Sequence, residues 1–245
     1  MKKSIVAGNW KMYLTSSADA SILTTTLRNN LSKITADVII APPAIWLSEV
    51  ASILGKNGKV KVAAQNMFYE AEGAYTGEIS PLMVKEMAEY IIIGHSERRE
   101  FFGENNMDVN EKVIAALKAG LTPIICVGEK KKSVNAAQPI KELKEALMHI
   151  PKKRFKDVVV AYEPVWAIGT GESADPIYAT KVITQLRQYA SMETPILYGG
   201  SVNAQSVKGF AERPEIDGVL VGGASVKAKE FVKICQIWDE MKSLI

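Results

Sequence analysis

Three side chains suited to proton transfer and anion binding stand just beyond short apolar runs of the chain: Lys11, His95 and Glu163. Glu163 follows the run Val158 to Tyr162 and precedes Pro164. A carboxylate there projects from the end of a buried strand, as a general base or as one half of a rim salt bridge. His95 follows Ile91-Ile92-Ile93-Gly94. At the start of a helical turn the positive helix end opposes imidazolium, which makes the side chain a neutral hydrogen-bond donor. The second histidine, His149, falls in a helical stretch before Pro151 and reads as structural. Most lysines are simply solvated. Lys11, however, lies four residues past the end of the first apolar run and two past Asn9, and together they offer a cation and an amide donor to an anionic, carbonyl-bearing substrate. Two glycine pairs, Gly199-Gly200-Ser201 and Gly222-Gly223-Ala224-Ser225, complete the set. One pair alone would merely permit a tight turn; two in succession present backbone N–H groups that suit a phosphate.

These residues need a common scaffold, and the apolar runs supply it. They are Ile5 to Ala7, Val38 to Ala41, Val60 to Ala63, Ile91 to Ile93, Ile124 to Val127, Val158 to Ala161, Pro195 to Tyr198 and Gly218 to Val221. Most are unbroken rather than alternating, as parallel strands covered on both faces require. Helical spacing appears between them: Leu23, Leu27, Leu31 and Ile34 share one face, as do Phe231, Ile234, Cys235, Trp238 and Met241. Strand followed by helix, repeated eight times at about thirty residues per unit, closes most economically into a (βα)8 barrel. A doubly wound open sheet would use fewer strands and place G-x-G-x-x-G after the first, where this chain has Gly8-Asn9-Trp10-Lys11. With no linker or repeat, residues 1–245 are expected to form a single barrel domain. In such a barrel the carboxyl ends of the strands converge on one site, and the polar residues above all lie there.

Composition sets the outer bounds. Of 245 residues, 47% are hydrophobic and 23% charged, which excludes disordered and collagen-like classes. Thirty basic residues oppose 27 acidic ones, for a net +3. No dominant electrostatic partner is expected, so neither nucleic acid nor membrane, although a local patch can hide within such a balance. The two cysteines, Cys126 and Cys235, form no C-x-x-C pair and no zinc spacing, which points to a reducing compartment and the cytoplasm. The N-terminal apolar stretch is too short for a signal-peptide core, and no apolar window is long enough to span a bilayer.

From end to end the chain resembles the triosephosphate isomerase family. The motifs that carry the resemblance begin with Gly8-Asn9-Trp10-Lys11-Met12, Ala64-Gln65-Asn66-Met67, Gly94-His95-Ser96-Glu97-Arg98-Arg99 and Cys126-Val127-Gly128-Glu129. Ala161-Tyr162-Glu163-Pro164-Val165-Trp166-Ala167-Ile168-Gly169-Thr170-Gly171, Tyr198 to Val202 and Ile216 to Ser225 follow in order. The resemblance implies a TIM barrel that interconverts dihydroxyacetone phosphate and D-glyceraldehyde 3-phosphate, a step of glycolysis and gluconeogenesis, with no metal or organic cofactor. It implies that Glu163 is the base and His95 the neutral electrophile. Lys11 and Asn9 then hold the substrate and its developing oxyanion, and Glu97 orients Lys11. Gly169, Ser201, Gly222 and Gly223 match positions that present N–H groups to the phosphate, and residues 165–171 match a hinged lid. A homodimer is also implied, in which the loop Met67 to Ser80 reaches a neighbour and brings Thr76 near its Asn9 and His95.

The chain departs from the family pattern at several places. Tyr13 stands where a small polar residue is usual, and Glu172 where a lysine is common. Asn105 to Asp108 replaces a more acidic run. The connection from Glu129 to Asp157 is short and carries Lys130-Lys131-Lys132. The alternatives are a non-catalytic phosphate-binding barrel or another phosphate-using barrel enzyme, since a barrel alone fixes no function.

Overall fold

A computed structural model describes residues 3–132, 135–167 and 173–244. Eight strands lie where the apolar runs place them: β1 (Ile5–Asn9), β2 (Asp37–Ala41), β3 (Val60–Ala64), β4 (Tyr90–Ile93), β5 (Thr122–Glu129), β6 (Val159–Pro164), β7 (Ile196–Tyr198) and β8 (Gly218–Val221). Every neighbouring pair is parallel, and β1 pairs with β2 on one side and β8 on the other, closing the sheet in chain order. This is the (βα)8 barrel. Its strands are unbroken apolar runs because both of their faces are buried. One set of side chains, including Ile39, Ile92, Cys126, Ala161 and Leu220, fills the interior, and the alternate set packs outward under the helices.

Among the described residues the helices are α1 (Ser17–Asn30), α2 (Leu47–Leu54), α3 (Pro81–Met87), α4 (Ser96–Phe101), α5 (Asn106–Lys118), α6 (Ala137–Ala146), α7 (Pro176–Arg187), α8 (Val207–Ala211) and α9 (Ala228–Ser243). Their starts are written locally. Ser16, Ser80 and Asp175 cap α1, α3 and α7, with proline in the first turn of the last two. Asn105 and Asp108 form a reciprocal capping box on α5. That box explains why β4 is followed by two helices rather than one: α4 stops at Phe101 and Asn105 nucleates a fresh start. His149 is not within a helix. It is exposed in a turn after α6, with φ of 64°. The short fifth connection holds the ten residues of α6 and a 3-10 turn at Lys152–Asp157.

The last helix locks onto the second strand. Asp239 of α9 accepts the backbone N–H groups of Thr35 (3.0 Å) and Ala36 (2.9 Å) and the Thr35 hydroxyl (2.5 Å), just ahead of β2.

Candidate active site

The carboxyl ends of the strands bring the predicted residues to one rim. Asn9, Lys11, His95, Glu163, Ser201, Gly222 and Gly223 line a single cavity of about 320 Å³, with Tyr13 at its edge. Gly169 and Glu172, with most of the expected lid, lie outside the described residues.

Lys11 is held in an uncommon conformation. Its φ of 51° is left-handed, which costs a non-glycine residue roughly 1–3 kcal/mol. Three contacts hold it there. Its N–H donates to Asn9 Oδ1 (2.9 Å), its carbonyl accepts Gln65 Nε2 (2.9 Å), and its ammonium donates to Glu97 Oε1 (2.6 Å). The Asn9 oxygen is thereby used and its amide N–H₂ is left to face the cavity. Glu97 thus holds the Lys11 head group in place.

His95 is the N-cap of α4, and its Nδ1 accepts the backbone N–H of Glu97 at 3.2 Å. The same nitrogen stands 3.6 Å from Glu97 Oε2, which leaves Nε2 as the ring atom turned toward Glu163. Nε2 lies 3.3 Å from Glu163 Oε1. The geometry there falls short of a hydrogen bond, and that buried carboxylate oxygen has no hydrogen-bond partner among the described residues. The other oxygen, Oε2, accepts the Ser96 backbone N–H at 2.9 Å. Glu163 is only 2% exposed. It is a dry carboxylate anchored through one oxygen, with its second oxygen beside a donor that a substrate carbonyl would claim. Ser96 reaches this carboxylate through its backbone N–H, a contact that side-chain chemistry hides.

The walls around Glu163 are glycine. A Cβ on Gly128 of β5 would collide with the Glu163 carbonyl, and one on Gly199 after β7 would meet the Glu163 side chain at 3.0 Å. The Gly199 N–H is already bonded to the Tyr162 carbonyl (2.8 Å), so Gly199 gives the site clearance, not a donor. Ser201 donates its hydroxyl to the Ala167 carbonyl (2.9 Å), tying the seventh loop to the segment after β6.

A second cluster, which the sequence does not reveal, sits behind the site. Glu129 Oε1 accepts three donors: Tyr162 Oη (2.5 Å), Trp166 Nε1 (3.1 Å) and Tyr178 Oη (3.1 Å). Burial pushes the Glu129 carboxyl up, and these three hydrogen bonds pull against it. Trp166 and Tyr178 meet edge-to-face at 5.7 Å, and the Lys132 ammonium lies 4.5 Å from the Trp166 ring. Trp166 begins the β6–α7 connection and Tyr178 is in the first turn of α7, so one carboxylate joins its two ends. Beside the Glu163 carboxylate, Cys126 lies wholly buried in the barrel interior. Burial and then the Glu163 charge drive its thiol well above the ordinary range.

Comparisons with known proteins agree with this architecture. A sequence model described as triosephosphate isomerase matches residues 4–238. A "Triosephosphate isomerase" of Dehalococcoides mccartyi (strain CBDB1) is 46% identical over 249 residues, covering 96% of each chain. One from Caldanaerobacter subterraneus subsp. tengcongensis is 43% identical, covering 96% of this chain and 99% of its own. One from Dictyoglomus thermophilum is 42% identical, covering 99% and 100%.

Proposed function

The chain belongs to the triosephosphate isomerase family, and from that premise we propose that it interconverts dihydroxyacetone phosphate and D-glyceraldehyde 3-phosphate by proton transfer through an enediolate. The observation that carries this reading is the convergence of Lys11, His95 and Glu163 with the two glycine loops on one cavity. We read the whole chain as one catalytic domain working in the cytoplasm; no helix among the described residues is long and apolar enough to cross a membrane.

The roles follow from the chemistry. Taking hydrogen from carbon beside a carbonyl with an ordinary carboxylate spans roughly 14 pKa units, about 19 kcal/mol uphill. The base alone cannot close that gap, so most of the help is electrostatic and must reach the oxygens where charge develops. Glu163 takes the proton with its unpartnered Oε1. His95 donates from Nε2 to the carbonyl oxygen, and Lys11 with Asn9 stabilises the enediolate. Glu97 keeps the Lys11 ammonium in place. Ser201, Gly222, Gly223 and Gly169 hold the phosphate, and the segment after Trp166 covers the intermediate against water. Glu163 then returns the proton to the neighbouring carbon, while the hydroxyl proton on the first carbon's oxygen passes to the former carbonyl oxygen, which becomes the new hydroxyl as the first carbon becomes the carbonyl. A coupled assay for glyceraldehyde 3-phosphate, run with and without a chelator, tests this reading. Turnover that survives chelation is expected, and its absence in both arms would refute the assignment. His95→Gln is expected to slow hydrogen exchange at the carbon beside the carbonyl, and wild-type kinetics would remove His95 as the electrophile.

We further propose a homodimer. Met12 and Phe102 are 92% and 70% exposed, and they border a cavity of about 470 Å³ that also touches Asn9, His95 and Glu97. Within the loop Met67 to Ser80, Phe68 stacks on Tyr69 at 4.2 Å and meets Tyr75 at 4.6 Å, which shapes the loop to enter such a cavity and carry Thr76 with it. Light scattering at working concentration is expected to give twice the chain mass; a fully active monomer would refute the dimer.

A further inference from the structure

The near-neutral balance of the chain conceals a one-sided charge. Between residues 130 and 156 there are nine Lys and Arg against two Glu, while the whole chain carries only +3, so the remainder is net negative. All eight lysines of that segment are exposed. Neither carboxylate is: Glu142 is buried against the Gly128 N–H (2.9 Å), and Glu145 is half-buried, bonded to Asn106 and 3.9 Å from the Lys141 ammonium, the one stripe lysine it pairs with among the described residues.

The fold lines these charges up. Lys130 to Lys132 sit on the rim beyond β5, Lys141 and Lys144 share one face of α6, and Lys152, Lys153 and Lys156 precede β6 at the opposite end of the barrel. The stripe therefore runs the height of the wall, with α6 alone spanning about 15 Å. Carboxylates on adjoining elements do little to cancel it. Asp157 is paired with Arg154 (2.5 Å), Asp175 caps α7 and Asp108 caps α5, which leaves Glu111 and Glu193 at the edges and Glu100 across a shared cavity from Lys130. Two of the head groups are pre-positioned, Lys132 over Trp166 and Lys144 over Tyr189 at 4.2 Å.

We propose that this stripe is a docking surface for the phosphate backbone of a nucleic acid, bound without regard to sequence. A duplex presents about one charge per 1.7 Å of axis, a linear array that matches a linear row of lysines. The row follows one helix on a convex wall, so a flat bilayer would meet only part of it. The aromatic rings beside it are already covered by lysines and offer no platform for bases, so contact is with phosphates and carries no sequence information.

The test uses the full-length protein and a labelled oligonucleotide, single-stranded and duplex. Binding is expected at low salt and should weaken by about 100-fold or more between roughly 50 and 200 mM salt. The triple variant Lys141→Glu/Lys152→Glu/Lys153→Glu should lose at least tenfold in affinity and about three from the log–log salt slope. Its isomerase turnover should equal that of the unsubstituted protein, which also certifies its fold. The matching control Lys229→Glu/Lys233→Glu on α9 should bind as the parent does. Absence of oligonucleotide binding at low salt, an equal loss in both variants, or attachment to phosphatidylserine vesicles in place of oligonucleotide would overturn the proposal.

Discussion

Lys11 Nζ and Glu97 Oε1 stand 2.6 Å apart across 86 residues of sequence, and the lysine reaches that position from a left-handed backbone. Two of the three contacts that hold this conformation, to Asn9 and Gln65, involve only the Lys11 backbone, so they stay in place when the charge is removed. Lys11→Met should lower turnover by at least about 1000-fold, the scale of losing a main oxyanion stabiliser. Its thermal midpoint should match the parent. Retained turnover in the coupled assay would end the role assigned to the cation.

Glu163→Asp withdraws the carboxylate by about 1 Å and should cost on the order of 100-fold in kcat, because proton transfer from carbon depends steeply on distance. Steady-state kinetics in both directions check this. An unchanged kcat would remove Glu163 as the base.

Lys132→Ala removes a cation from the ring pair that starts and ends the β6–α7 connection. An exposed contact of this kind is worth roughly 0.5–1 kcal/mol, so a two- to five-fold fall in kcat is expected, with a shift in tryptophan emission. Lys132→Arg should restore both readouts. If neither moves in the alanine variant, the cation contributes nothing to the position of Trp166.

Both thiols should be silent in the folded protein. Cys126 and Cys235 are fully buried, and burial drives each thiol above its ordinary range. The thiolate is the reactive form. A thiol-disulfide reagent at neutral pH should therefore titrate neither cysteine until denaturant is added, and then both. Rapid native labelling would contradict the packing at Cys126.

Acid stability should carry the mark of Asp239. Partial burial raises its carboxyl, but hydrogen bonds from Thr35 and Ala36, aided by Lys59, outweigh that and hold it below the ordinary value. A carboxyl lowered by folding adds stability that is present above its unfolded pKa, near 3.9, and is lost as pH falls through the lower folded value. Asp239→Asn should cost about 1 kcal/mol at neutral pH, allowing for exposure, which is roughly 2–4 °C in Tm. The gap from the parent should shrink as pH drops below about 4. A gap constant from neutral to acid pH would show that the charge is not what ties α9 to β2.

Much of this architecture is readable in one dimension because its signals are local. An unbroken run such as Ile91 to Ile93 can be satisfied only by burial on both faces, and Asn9, His95 and Glu163 each follow such a run within a few residues, with Lys11 two residues past Asn9. The Glu129 cluster is not readable in that way. Glu129, Trp166 and Tyr178 belong to three elements and meet only when β5, β6 and α7 are side by side, and no spacing within one element records the meeting. Ser96 is hidden for another reason: its contribution is an N–H that every non-proline residue possesses, selected only by where α4 begins. The second helix after β4 was written locally, in the Asn105–Asp108 box, but an expectation of one helix per strand passes over it. The lysine stripe is visible as composition between residues 130 and 156, yet its alignment depends on α6 running antiparallel to the strands it covers.

Gly128 and Gly199 press the backbone and side chain of Glu163 from either side with nothing larger than hydrogen. The carboxylate is therefore clamped by absence of bulk. Saturation mutagenesis around the rim should find the Gly128 codon intolerant even to alanine, whereas Gly199→Ala should push the Glu163 side chain aside by a few tenths of an ångström. The narrowest part of the mouth is set by what those two positions lack.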